Sequence, residues 1–488
     1  MANDESNNRV ENFGKPPSRI ATLDFTRGLA IFLMTFFHGF NHVFDPSWFT
    51  SDPSVIFDTI HPIAIAPIGF LVYLGTWNSF FLLVSITVNT LGMVKSAQKG
   101  ANLEKILLRR IITGLFLFIA DYIIEALLYY GYFGNGIKNG AWSAISRFWL
   151  HFFGIRTLQI IAWSIVITSV INYFLLRKNG HQKYVRNMII FGILALSVLI
   201  STQFVQNAVD NMPWESPAGY TGGGWPDIGI QEYNASFRTW IFVQIAGGLE
   251  PFFPYLCTSF VGAMIGLTVC LAKPPKYITP FFGSTGLLMM ILGAVLIALG
   301  YPMVFDTRSS LPVFLLQLGG QMGLLMLFFR RVEFKGRGKV FADNWLSREL
   351  RLWSMASLSI YALEIFDFVP ASFMNLIAGR FVGHNFLLRT FNQPHQMGYA
   401  LLYACFSLLC YIGLIRVWSL ANFTGSFEWF LLRVQNGFRK PKLNRLDVDL
   451  ILNKTGWIIF VDQASDIKQV WIHRIQQKFK KTDEEILQ

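Results

Sequence analysis

Charge is what this sequence is short of. Only 14% of its 488 residues are charged, against 53% hydrophobic and 47 phenylalanines. A soluble domain carries roughly a quarter charged residues, so a water-facing surface of this size could not be covered. Cytosolic-enzyme, secreted and DNA-binding readings fall together. Cysteine is scarce too. Cys257, Cys270, Cys405 and Cys410 all lie inside apolar segments, at no spacing that suggests zinc or a disulfide framework, and read as small core residues. No metal is expected. Nor do the first 19 residues hold the apolar core of a signal peptide, so they read as a short polar tail left on the side of synthesis.

Long apolar runs are what the chain has instead. Its length would allow roughly three soluble domains, but runs able to span a bilayer, about 20 residues each, recur throughout. Ten spans can be drawn, at about 20–44, 67–93, 106–130, 155–176, 186–206, 250–272, 279–300, 310–330, 352–378 and 397–420. With the N-terminus inside, the cytoplasmic loops and N-terminal tail carry 21 Lys and Arg and the external segments seven. The first external loop, 45–66, has none. The net charge of +12 is thus spread over short clusters between spans, the positive-inside pattern and not a nucleic-acid patch. The expected fold class is all-α: a polytopic membrane bundle of about 10 transmembrane helices, N- and C-termini cytoplasmic.

Residues 1–19 read as a cytoplasmic tail, 20–433 as the transmembrane domain and 434–488 as a cytoplasmic C-terminal tail. Within the domain, 207–238 is Gly, Pro and Trp rich, too polar to span, and reads as an external cap. In the tail, Ile467, Val470, Trp471, Ile475 and Phe479 recur at helical spacing with Lys468, Arg474 and Lys478 between them. A basic amphipathic helix on the inner leaflet and an ordinary packed terminal helix both fit that pattern. No internal repeat argues for an inverted-repeat transporter.

The first span, RIATLDFTRGLAIFLMTFFHGFNHVFD, concentrates ionisable residues where they are costly, and such residues mark function by default. Arg27 and His38 are eleven residues apart, roughly 20° from three full turns, so they share a face about 16 Å apart along the axis. Asp24 falls one turn below Arg27 and His42 one turn above His38. The competing reading is that Asp24 and Arg27 only anchor the helix start by snorkelling and that His38 is a core histidine bonded to a backbone carbonyl.

The stretch RIATLDFTRGLAIFLMTFFH resembles the first-helix signature of the large transmembrane acyltransferase superfamily, through Arg19, Leu23, Asp24, Arg27, Gly28, Ala30 and His38. EPFFPYLCTSFVGAMIG resembles a segment of its prokaryotic heparan-alpha-glucosaminide N-acetyltransferase-like branch, at Glu250, Pro251, Phe253, Pro254, Gly262 and Gly266. GIRTLQIIAW is similar to another stretch of that branch through Leu158 and Gln159, and WSMASLSIYALEIF and ANFTGSFEWFLLR resemble the closing helices of a related bacterial membrane family. The chain departs from the pattern in FFLLVSITVN, where Ile86 replaces a glycine, and before EWFLLR, where Gly425 and Ser426 replace Gly-Pro.

The resemblance implies transfer of an acyl group, acetyl above all, from cytoplasmic acyl-CoA to a sugar or glycolipid acceptor on the far side, with the histidine and arginine of the first helix essential. Acyl-CoA is then the co-substrate. Its phosphates suit Arg27 and the basic loop 330–351, through Arg330, Arg331, Lys335 and Arg337. Positive-inside anchoring is the plainer account of that loop. His38 would serve as general base or transient acyl carrier, which requires a fixed tautomer. Asp121 and Glu125 share a face of span 3 by i,i+4 spacing, and one of them is expected to contact His38. Glu364 and Asp367 of span 9 come out slightly lower in the membrane, and Arg147 and Arg156 could reach the same cavity.

The expected partners are the lipid bilayer and the external acceptor, with a homodimer admitted and nucleic acid excluded. Localisation follows as the cell membrane. Two other classes compete: a proton-coupled carrier, which intramembrane carboxylates and a histidine would also suit, and a non-catalytic protein of the same fold.

Overall fold

The computed structural model of the chain describes residues 18–45, 77–124, 154–215, 236–271, 274–302, 308–388, 396–435 and 446–458, with a few positions between them. A two-residue strand β1 (Ser18–Arg19) leads into α1 (Ala21–Val43), α2 (Asn78–Gln98) and α3 (Leu103–Tyr122). Next come α4 (Thr157–Leu176), α5 (Tyr184–Asp210), α6 (Phe237–Ala246), α7 (Phe252–Val269) and α8 (Ile278–Ala298). α9 (Leu311–Phe328) runs on through a π turn to Glu333, and the short α10 (Gly338–Asp343) follows. The chain closes through α11 (Trp345–Met355), α12 (Ser357–Ala362), a 3-10 turn (Leu363–Asp367), α13 (Phe368–Met374), α14 (Met397–Leu420), α15 (Phe427–Gln435), α16 (Val448–Asn453) and β2 (Gly456–Trp457).

This is an all-α, multi-pass membrane bundle. Among the described residues, seven helices are long and apolar enough to cross a membrane: α2, α4, α5, α7, α8, α9 and α14. α7 is the most deeply buried of them, while α5 and α8 leave most of their apolar surface on the outside, as lipid-facing helices do. α1 and α3 coincide with two more expected spans, but Asp24, Arg27, His38 and His42 on the one, and Glu104, Lys105, Arg109, Arg110 and Asp121 on the other, make them less apolar.

The ninth expected span differs. Residues 352–378 were expected as one helix; the chain instead starts α11 at Trp345, breaks at Ala356 (φ −119°, ψ 31°), and rewinds as α12, a 3-10 turn, α13 and a π turn. The expected second span is also displaced, its helix α2 running on to Gln98. Of the expected cap, 207–210 belong to α5 and 237–238 to α6; most of the remainder lies outside the described residues. So does the amphipathic pattern of 467–479. The part of the tail that is described packs back onto the bundle. β2 pairs in parallel with β1, Ser18 opposite Gly456 and Arg19 opposite Trp457, and Phe460 is buried against Phe334, ring centroids 5.4 Å apart. Both ends of the described fold therefore meet at one end of the bundle.

Small residues set the closest helix approaches, as they do in membranes. A Cβ on Gly28 would stand 1.7 Å from the Leu350 carbonyl oxygen, so α1 and α11 meet backbone to backbone there. The substitution Ile86 has a counterpart across an interface: Gly262 of α7 leaves room for the Ile86 side chain, 3.3 Å from where its own Cβ would be. The close packing that a glycine in α2 would allow is supplied from α7.

Gly28→Ala is expected to destabilise the bundle by more than about 3 kcal/mol, since backbone cannot yield as a rotamer can. Gly39→Ala, whose Cβ would meet Ala404 Cα at an ordinary 3.6 Å, should be tolerated. Thermal melts and size-exclusion profiles of the two variants in detergent make the comparison; equal behaviour would contradict this account of Gly28.

Candidate functional site

One stripe of α1 faces one stretch of chain along most of its length. Gly28 lies against Leu350, Arg27 Nε donates to Ser354 Oγ at 2.8 Å, and Phe32 packs on Trp353 at 5.1 Å. Higher up, His38 Nδ1 is 2.8 Å from Glu364 Oε2, and His42 Nδ1 is 3.4 Å from Asp367 Oδ2. Ascending numbers on α1 meet ascending numbers on 350–367, so the two run parallel.

At the β1–β2 end, α1 begins without a side-chain cap of its own, Ile20 being the N-cap residue. Glu333 supplies one from the π turn after α9, its Oε1 accepting from the Thr22 amide at 2.7 Å. A carboxylate there also complements the helix dipole. Asp24 Oδ2 accepts from Arg19 at 3.0 Å, and Arg27 stands 3.8 Å from its other oxygen. Arg351, only 1% exposed, donates to the carbonyls of Ala342 and Ile451 and lies 4.4 Å over the Trp457 ring. Burial pulls its guanidinium down to about 10 while Asp24 works the other way, so it stays charged at neutral pH. Arg330, Arg331, Lys335 and Arg337 are all exposed around the same turn, which the Glu333 bond ties to the start of α1.

At the other end, the two histidine pairs differ in access. The His38 side chain is 35% exposed and Glu364 only 6%, whereas His42 and Asp367 are 8% and 9% exposed. A buried carboxylate on Nδ1 fixes the ring's tautomer and assigns acceptance of a proton to Nε2. That is the arrangement of a histidine base with an orienting acid.

Glu364 is thus a carboxylate set on His38. Of Asp121 and Glu125, one of which was expected in that place, Asp121 is buried on α3, a helix that packs chiefly along α4. Glu125 and Arg147 lie outside the described residues, and Arg156 is half-buried at the start of α4. Arg27 and His38 do share their face, as the spacing required. Sequence reasoning missed Ser354, Glu333 and the pairing of His42 with Asp367. A depth count from residue 352 along one straight helix placed the span 9 carboxylates too low, because the helix begins earlier and changes its winding.

The two late motifs also meet. Glu428 of EWFLLR accepts from the Leu358 amide at 2.6 Å and from Ser359 Oγ at 2.5 Å, capping α12. Glu250 of the EPFFP segment, buried, accepts from Thr157 at 3.0 Å. Comparison with protein-family models and with curated protein sequences returns no match to this chain.

Arg351→Met is expected to release the C-terminal strap, since it removes both carbonyl bonds and the ring contact while keeping an apolar stem. Hydrogen exchange in 446–458 should rise well above wild type. Lys454→Ala, which breaks only the exposed pair with Asp449, should leave it unchanged. Equal exchange in the two variants would refute the role of Arg351.

Proposed function

We propose that this protein is a membrane-embedded acyltransferase of ten passes with both termini cytoplasmic, moving an acetyl or other acyl group from cytoplasmic acyl-CoA to a sugar or glycolipid acceptor at the external face of the cell membrane. The observation that carries the reading is the His38–Glu364 pair, a partly exposed imidazole held by a buried carboxylate on the same stripe as Arg27. Arg27, already oriented by Ser354, and the exposed cations of 330–337 bind the phosphates of the donor. Glu364 holds the Nδ1 proton of His38, and Nε2 takes the proton of the acceptor hydroxyl or amine as that group attacks the thioester carbonyl. The carbon–sulfur bond breaks as the new acyl bond forms. The departing thiolate of CoA then receives the proton from the imidazolium, which restores the base. Acyl-CoA here is a co-substrate and no metal is invoked.

Protein reconstituted in vesicles that contain the source cell's own membrane glycans and are fed radiolabelled acetyl-CoA should move label into the glycan fraction. Loss of a general base costs about 10²–10⁴ in rate, so His38→Ala should fall by at least the lower figure, and Glu364→Gln by less because Nε2 survives. Undiminished transfer by His38→Ala would sink the assignment. A second reading, a proton-coupled carrier, draws on the stacked His42–Asp367 pair. It expects solute accumulation driven by a pH gradient, with no label transferred.

A further inference from the structure

The 3-10 winding of Leu363–Asp367 has a geometric consequence. His38 and His42 are four residues apart on an α-helix, a rise of about 6.0 Å. Glu364 and Asp367 are three residues apart on a 3-10 turn, which also rises about 6.0 Å and brings the two side chains into line. Were the turn α-helical, the same three residues would rise only about 4.5 Å and leave the second carboxylate about 60° round the helix. The two carboxylates would then match the spacing of the two histidines less closely. The winding matches the rungs.

A tight turn with poorer hydrogen-bond geometry needs support, and α14 supplies it from a single stripe. Tyr403, Ser407 and Tyr411 follow one another at i, i+4 and i+8, all nearly or fully buried. Tyr411 donates to the Leu363 carbonyl at 2.9 Å, the first residue of the turn. Tyr403 donates to the Asp367 carbonyl at 3.1 Å, the last. Between them Ser407 donates to Asp367 Oδ1 at 2.9 Å, which turns Oδ2 toward His42. α1 is brought to the same stripe, Gly39 lying against Ala404 and Ser407.

We infer that Tyr403, Ser407, Tyr411 and Asp367 are positioning residues: they hold the 3-10 turn in the register that sets Glu364 on His38, with the His42–Asp367 rung as its outer stop. The catalytic meaning of this device rests on the acyl-transfer reading; the device itself does not. None of the four touches the proposed donor. They act through Glu364.

The test is a spectroscopic one that needs no substrate. In lipid-reconstituted protein with 15N-labelled histidine, solid-state NMR should show a downfield Nδ1–H resonance for His38, assigned by its loss in His38→Ala and abolished in Glu364→Gln. Tyr411→Phe and Ser407→Ala each delete one hydroxyl that bonds the 3-10 turn, without changing charge, and both should weaken or displace that resonance. In the transfer assay the same variants should lose about tenfold or more in kcat, as misplaced catalytic groups do, with KM for acetyl-CoA unchanged.

A merely structural role predicts lower melting temperatures with the His38 resonance where it was, and that result would overturn the proposal. Protein that transfers no label yet shows the displaced resonance would remove the enzyme reading and leave the positioning device supported. Should either variant fail to fold, Asp367→Asn, which keeps an acceptor for Ser407, reads the same resonance: displaced if the outer rung sets the register, unmoved if it does not.

Discussion

The ionisable face of α1 hangs on the parallel seam between that helix and residues 350–367. The seam starts with a backbone contact at Gly28 and Leu350 and ends with His42 on Asp367. Along it Arg27, His38 and His42 find Ser354, Glu364 and Asp367 on one continuous stretch of chain, while Asp24 takes Arg19. Hydrocarbon offers no water to satisfy such groups, and each one left without a partner costs several kcal/mol. A helix carrying Asp24, Arg27, His38 and His42 can sit in the bundle only where a matching series of donors and acceptors lies beside it. The partner has to bend for that, since a straight helix could not present Ser354, Glu364 and Asp367 in the right directions together.

The cost of the break at Ala356 is offset by what flanks it. Glu428 caps the new helix start at Leu358 and Ser359, and the tyrosines of α14 bond the carbonyls at the two ends of the 3-10 turn. The β1–β2 end is closed in the same manner. Glu333 stands in for a missing N-cap, and Arg351 joins α11 to the C-terminal strap through carbonyls and an indole face. Few of these partners are neighbours in sequence. The bundle's specificity lies in long-range hydrogen bonds laid over generic apolar packing.

That division explains what could be read from the sequence and what could not. Apolar run length is a local property, and it located α4, α5, α7, α8, α9 and α14 to within a few residues. Helical periodicity is local as well, so Arg27 and His38 were correctly placed on one face. Partner choice is not local. Four carboxylates lay at comparable depth, and nothing in i,i+4 spacing separates Asp121 and Glu125 from Glu364 and Asp367. The deciding fact is the winding of 363–367, which carries neither glycine nor proline to announce it. Nor could the basic loop reveal that Arg351 is buried while Arg330 and Arg337 are exposed, since composition is blind to which residue faces a returning strap.

The seam also bears on how one protein could serve two sides of a membrane. Arg27 and His38 are about 16 Å apart on a single rigid helix, each held from the same neighbouring segment. On the proposed reading, a donor anchored by its phosphates at one end extends along the stripe toward the histidine at the other, which suits a long, thin acyl-CoA better than a compact solute. Rigidity matters for that, because a loop-borne histidine would lose its distance to the arginine with every fluctuation. On the proposed reading, the outer rung keeps the stripe straight where the donor ends and the acceptor must approach. On that same reading, His42 being buried and His38 partly exposed, the exposed histidine does the chemistry and the buried one holds the frame.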